Sequence, residues 1–197
     1  MPRLELRALQ SPHAGPFTLA IEPGATLAIT GPSGAGKSLL LRMVADLDPN
    51  DGEALLDGHP RQNFTAPEWR RRVTYTAAEP GWWHDTVGEH FATIPTADAE
   101  ALDLRPGIFA EQVRLCSTGE RQRLALLRAL ANTPAVLLLD EPTAALDAAN
   151  VARVEALLQT HLARGMTLLL VTHDPAQATR LTAQNGQHRH LEHGKLL

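Results

Sequence analysis

The chain holds a single cysteine, Cys116, among 197 residues, so it has no means of forming an intrachain disulfide. That fits a reducing compartment such as the cytosol. Aromatic residues make up only 4%, and no apolar run approaches the length needed to cross a bilayer. The opening Met1-Pro2-Arg3-Leu4-Glu5 lacks the apolar stretch of a secretory signal. A basic surplus is missing too. The 18 Lys and Arg face 22 Asp and Glu, a formal net charge of −4, which argues against the basic surface that grips nucleic acid. No internal repeat or low-complexity tract is visible. What remains is the hydrophobic content of an ordinary globular protein, at a length that suits one well-packed domain and is short for two.

Against that background one segment stands out: Gly31-Pro32-Ser33-Gly34-Ala35-Gly36-Lys37-Ser38. It matches the phosphate-loop pattern G-x-x-x-x-G-K-[ST] at every fixed position. The apolar run Ala25–Thr30 reads as a buried strand leading in, and Ser38–Ala45 as a helix leading out. Glycines free the loop to turn its backbone N–H groups onto a phosphate, and the helix N-terminus adds partial positive charge. Lys37 is expected to reach the β- and γ-phosphates, and Ser38 to face Mg²⁺.

Two further segments narrow the reading. Val136-Leu137-Leu138-Leu139-Asp140-Glu141 is a buried-strand pattern ending in two carboxylates. Asp140 suits a place beside Mg²⁺, and Glu141 is set to orient or deprotonate an attacking water. Ser117 and Glu120 stand at capping-box spacing before the apolar helix Leu124–Ala131. An ordinary capped helix would look the same.

The order of these motifs resembles the ATP-binding subunits of ABC transporters. Ser117-Thr118-Gly119-Glu120 stands at the family's signature, followed by Asp140-Glu141-Pro142-Thr143, then Ala144-Ala145-Leu146-Asp147, then Val171-Thr172-His173-Asp174. The resemblance covers nearly the whole chain. It implies an α/β P-loop NTPase with an ABC-type core sheet, N-terminal antiparallel strands and an inserted helical subdomain at about 85–132. Residues 1–197 then form one ATP-binding domain. It further implies an ATP- and Mg²⁺-dependent hydrolase that energises a separate membrane permease from the cytoplasmic face. Two copies, or a copy and a related chain, would close head to tail on two ATP molecules. In that arrangement Ser117 and Gly119, with their neighbours Thr118 and Glu120, face the γ-phosphate held by the other subunit's loop. His173 contacts its own subunit's γ-phosphate, and Asp147 links the two sites. A looser likeness points to small bacterial ABC subunits associated with iron export. Rival readings are a non-transport ABC protein acting on ribosomes or DNA, and a regulatory nucleotide-binding module with little turnover.

The chain departs from the family in several places. Ala78 stands where a glutamine is expected after the strand Val73–Thr76, and the adjacent Glu79 is the candidate substitute. Leu39 replaces a threonine next to Ser38, while its backbone N–H remains available to the α-phosphate. Thr118 replaces a signature glycine, and Cys116 a leucine. No aromatic precedes the second strand, which leaves His13 as the ring available to stack on adenine. The kept residues Lys37, Ser38, Asp140, Glu141 and His173 point to an active ATPase with slow or partner-dependent turnover.

Strands are expected near Leu4–Leu9, Phe17–Ile21, Glu53–Gly58, Val136–Leu139 and Thr167–Val171, with a helix over Asp147–Arg164 between the last two. That β-α-β unit implies a parallel sheet. Trp82 and Trp83 lie in the stretch that, in the family, borders a groove receiving a cytoplasmic helix of the permease, and at least one ring is expected to be exposed. The tail Gln187–Gly194 reads as a solvated edge strand, with a lesser reading of His188 and His190 as metal ligands.

Overall fold

A computed structural model describes residues 1–197. Strands β1 (Leu4–Ser11) and β2 (Ala14–Ile21) form a hairpin, and β3 (Thr26–Thr30) leads into helix α1 (Lys37–Val44). Strands β4 (Asp51–Leu56) and β5 (His59–Pro60) complete an antiparallel sheet of order β2-β1-β4-β5. Strand β4 starts at Asp51, two residues ahead of the strand expected near Glu53, because β1 offers it partners: Asp51 pairs with Gln10 and Glu53 with Arg7. Gly52 makes this pairing feasible. Its φ is +87, and a Cβ there would lie 2.3 Å from the Ala8 carbonyl oxygen.

Helix α2 (Ala66–Arg72) is closed by a reciprocal Thr65–Glu68 capping box and delivers the chain into β6 (Val73–Thr76). After an insertion carrying α3 (Thr96–Ala101) come α4 (Thr118–Ala131), β7 (Val136–Asp140), α5 (Ala148–Ala163), β8 (Thr167–Val171), α6 (Pro175–Thr182), β9 (Gly186–Glu192) and β10 (Lys195–Leu196). The second sheet runs β10-β9-β3-β8-β7-β6, with every pair parallel except β9–β10. The fold is the expected α/β arrangement.

The two leucine-rich strands explain the layering. Successive side chains of a strand point to opposite faces. Val136, Leu138, Leu169 and Val171 therefore join one core with α1 and the antiparallel sheet. Leu137, Leu139, Leu168 and Leu170 join the other, with α4 and α5. Both faces are covered, so the strands are apolar throughout rather than alternating.

The insertion contains the six-residue α3 and a series of 3₁₀ turns before α4, around a small core of Val87, Ile108, Val113, Cys116 and Leu124. Pro80, Pro95 and Pro106 keep longer helices from forming there. One expectation needs correction, that of the tail as an edge strand: β9 lies between β3 and β10, paired from Thr26↔Gly186 to Thr30↔His190. No helix is long and apolar enough to cross a membrane.

Candidate functional site

Strands β3, β8, β7 and β6 are adjacent and parallel, so their C-terminal ends open on one edge of the sheet. Open parallel sheets bind ligands at that edge. Here the ends deliver, in order, Gly31, His173, Glu141 and Ala78, residues scattered over much of the chain.

The loop after β3 is a cradle. Gly31, Gly34 and Gly36 all have positive φ. A Cβ on Gly31 would lie 2.0 Å from the Leu191 carbonyl oxygen of β9, so the close pass of loop and strand excludes any side chain. Pro32, Ser33 and Gly34 are exposed, while Ala35 is buried and accepts a hydrogen bond from Gly194 N. Gly36 starts α1 with no side-chain cap, which leaves the first N–H groups free of any competing side chain. Lys37 is only 6% exposed, and its Nζ donates to the Gly31 and Pro32 carbonyls at 2.8 Å each. No carboxylate pairs with it. A nearly buried ammonium without a counter-charge, beside free helix N–H groups, fits a bound anion. Ser38 is exposed on the first turn, and Leu39 packs against the larger core.

Asp140 ends β7 and is 5% exposed. Its Oδ2 accepts from the Tyr75 hydroxyl of β6 at 3.2 Å. Burial, and then the neighbouring carboxylate, push the Tyr75 phenol above its usual range, so it stays protonated and donates. Glu141 follows with φ +49, a left-handed conformation that costs a non-glycine residue on the order of 1–2 kcal/mol. Its N–H donates to Val171 O at 2.9 Å, and its carbonyl accepts from Gln122 Nε2 at 3.0 Å. Its Oε1 lies 2.5 Å from Nε2 of His173, whose ring is half exposed.

Gln122 and Tyr75 escape the sequence reading. Gln122 sits on the buried stripe of α4 with Ala125, Leu126 and Ala129, and its Oε1 also accepts from Ala145 N at 3.1 Å. A polar residue at that helical spacing is the signal that marks it. Tyr75 carries no such mark.

The other expected residues sit as follows. Ser117 caps α4: its Oγ accepts from Glu120 N at 3.2 Å, and Glu120 Oε2 accepts from Ser117 N at 2.8 Å. Burial alone would raise the Glu120 carboxyl. The Ser117 N–H, the Arg105 guanidinium and the Ser117 hydroxyl together hold it low. Thr118 accepts from Arg121 Nη2 at 3.3 Å, and a Cβ on Gly119 would press on Leu146 at 3.3 Å. Asp147 caps α5, with Oδ1 accepting from Asn150 N at 2.8 Å. Arg123 donates to Asn150 Oδ1 at 3.0 Å and so ties α4 to that cap.

Ala78 carries no polar side-chain atom, and Glu79 is exposed without a partner. Near them a cleft of ≈ 550 Å³ opens between β6 and α4. Arg128 enters it stacked on Trp82 and Trp83, with centroids 4.6 and 4.5 Å from its Cζ. Burial lowers the Arg128 pKa. Trp83 is 65% exposed, as expected of one ring of the pair, while Trp82 packs on the small core. Cys116 is buried, a small hydrophobe as expected. His13 is exposed in the β1–β2 turn. His188 Nε2 lies 2.9 Å from Thr30 Oγ1, and no group of three or more His, Cys, Asp or Glu is arranged to hold a metal.

The family profile described as ABC transporter matches residues 15–144. The "Fe(3+) ions import ATP-binding protein FbpC 2" of Rhodococcus jostii is 41% identical over 173 residues, covering 81% of this chain and 50% of that protein. The "Aliphatic sulfonates import ATP-binding protein SsuB" of Cupriavidus necator is 39% identical over 171 residues, 83% of this chain and 56% of that one. The chain thus spans about half the length of these relatives. Among solved structures, the dimeric ATP-binding cassette MJ0796 in a post-hydrolysis state, bound to ADP and Pi, superposes with a TM-score of 0.79 at 23% identity. That match covers 98% of this chain and 96% of that one, a likeness of fold.

Proposed function

The chain belongs to the ABC transporter family of ATP-binding proteins, and from that membership we propose that it binds and hydrolyses ATP to energise a separate membrane permease. The main support is the row of strand ends that brings the Gly31–Leu39 loop, His173 and the Asp140–Glu141 pair to one edge. Loop N–H groups and Lys37 hold the phosphates. Ser38 and Asp140 hold Mg²⁺, Asp140 directly or through a water. When bound, Mg²⁺ offsets negative charge on the phosphoryl oxygens. Glu141 orients the attacking water and accepts its proton, and His173 steadies that carboxylate. Ser117, Thr118, Gly119 and Glu120 act on the nucleotide of a second copy or a related chain, with Asp147 between the two sites.

Residues 1–197 act as one ATP-binding domain with residues 85–132 as its subdomain, at the cytoplasmic face of the membrane through the permease. The named cargoes of the relatives, ferric ion and aliphatic sulfonates, differ in chemistry. Cargo and direction therefore belong to the permease. The test is phosphate release by the purified chain with MgATP. Mg²⁺-dependent release that vanishes in Lys37→Ala supports the reading. A chain that binds nucleotide yet releases no phosphate, alone or in membranes with its permease, overturns it.

A further inference from the structure

The turns that carry Glu141 and His173 are joined by a second side-chain bridge. Thr172 and Gln177 are buried, while everything between them, His173 included, is exposed. Gln177, at 1% exposure, is therefore where the His173 turn regains the core. Its Nε2 donates to Thr143 Oγ1 at 2.9 Å. Thr143 is the only residue with a polar side chain between Glu141 and Leu146. Gln177 Nε2 also donates to Glu155 Oε1 of α5 at 3.3 Å. Arg180 of α6 clamps that carboxylate, Nε to Oε2 at 2.8 Å and Nη2 to Oε1 at 2.7 Å. One amide thus ties α6 both to the turn after β7 and to α5.

The Glu155 carboxylate fixes which way the amide faces, because it accepts and has no proton to donate. Turning Nε2 toward it leaves Gln177 Oε1 buried without a hydrogen-bond partner. An unpaired buried acceptor costs stability, so an apolar side chain would serve better here if packing were the only role. A glutamate would set a second carboxylate against Glu155.

We propose that Gln177 is a positioning residue for turnover. It holds the His173 turn against the Glu141 turn and so keeps His173 on the carboxylate that it steadies. This rests on the roles given to Glu141 and His173 in the proposed function. Gln177 hydrogen-bonds to neither of those side chains and acts through His173.

The experiment is a double-mutant cycle on the whole chain, read by single-turnover phosphate release with MgATP. Gln177→Met keeps the length of the side chain and removes both donated bonds. Alone, it should lower the rate about tenfold, less than the roughly 10²-fold that a 1 Å misplacement can cost. In the His173→Ala background nothing is left to position, and the same change should cost less than about twofold. The ATP concentration for half-maximal rate should not move. Thr143→Val breaks the same bond from its half-buried end, and should reproduce both results even if Gln177→Met fails to fold. Equal losses in the two backgrounds would mark a merely structural role and overturn the proposal. So would an unchanged rate in Gln177→Met. A wild-type chain that binds nucleotide yet releases no phosphate would instead overturn the ATPase reading.

Discussion

Glu141 and His173 leave adjacent strands and meet with Oε1 and Nε2 2.5 Å apart. The backbone of Glu141 is held in its left-handed turn by Val171 O on one side and Gln122 on the other. The carboxylate is thus aimed by three neighbours rather than by its own rotamer preference.

Replacing that carboxylate by its amide keeps the shape and removes the base. Glu141→Gln should lower turnover by about 10²–10⁴-fold while nucleotide still binds. His173→Ala should give a smaller loss, because the base remains but is less well held. Single-turnover phosphate release checks both, and near-normal turnover in Glu141→Gln would remove Glu141 as the base.

The Ser117 cap is exposed, so the α4 N-terminus is open to a second molecule. If it acts in trans, association should need ATP and rise with protein concentration. Light scattering on Glu141→Gln with and without MgATP measures this. A chain that stays monomeric at high concentration with MgATP would exclude the closed pair.

At residue 78 a hard cation would gain from an added oxygen ligand. Ala78→Gln should lower the Mg²⁺ concentration for half-maximal activity, and Glu79→Ala should raise it if Glu79 already serves there. Free Mg²⁺ is titrated at fixed ATP. No change in either variant would mean that this loop does not reach the metal.

Gln122→Leu keeps the volume of the buried stripe but strands the Glu141 carbonyl and the Ala145 N–H. Leaving buried polar groups unpaired costs about 1–3 kcal/mol each way it is measured. Urea unfolding should show a loss of that order, and kcat should fall more than KM rises. Equal stability with unchanged kcat would show the strut to be dispensable.

Several carboxylates are held low by local donors. The Arg42 guanidinium lowers Asp48, the Thr65 hydroxyl and N–H lower Glu68, and the Thr86 hydroxyl and N–H lower Glu89. A carboxylate whose folded pKa lies below its unfolded value stabilises fully above the unfolded value, about 4.3 for glutamate. That contribution fades as pH falls through the lower, folded value. Urea midpoints should therefore hold from pH 7 to 5 and drop below about pH 4, with a shallower drop in Glu68→Gln. An equally steep drop in that variant would remove Glu68 from the account.

Much of this was legible in the sequence because it is local. A phosphate loop needs glycines at fixed spacing, a helix cap needs Ser117 three residues before Glu120, and a strand buried on both faces needs a run such as Leu137-Leu138-Leu139. Each is decided by backbone sterics and hydrogen bonds within a few residues, so the chain carries it whatever its neighbours do. The pairing of Tyr75 with Asp140 spans 65 residues, and that of Gln122 with Glu141 spans 19. The stacking of Arg128 on the two tryptophans and the interior place of β9 are likewise non-local. These depend on which strands lie side by side, and the order β9-β3-β8-β7-β6 is chosen by how the two cores pack together. Local patterning supplied the chemical groups, while the long-range packing of the sheet determined which of them meet.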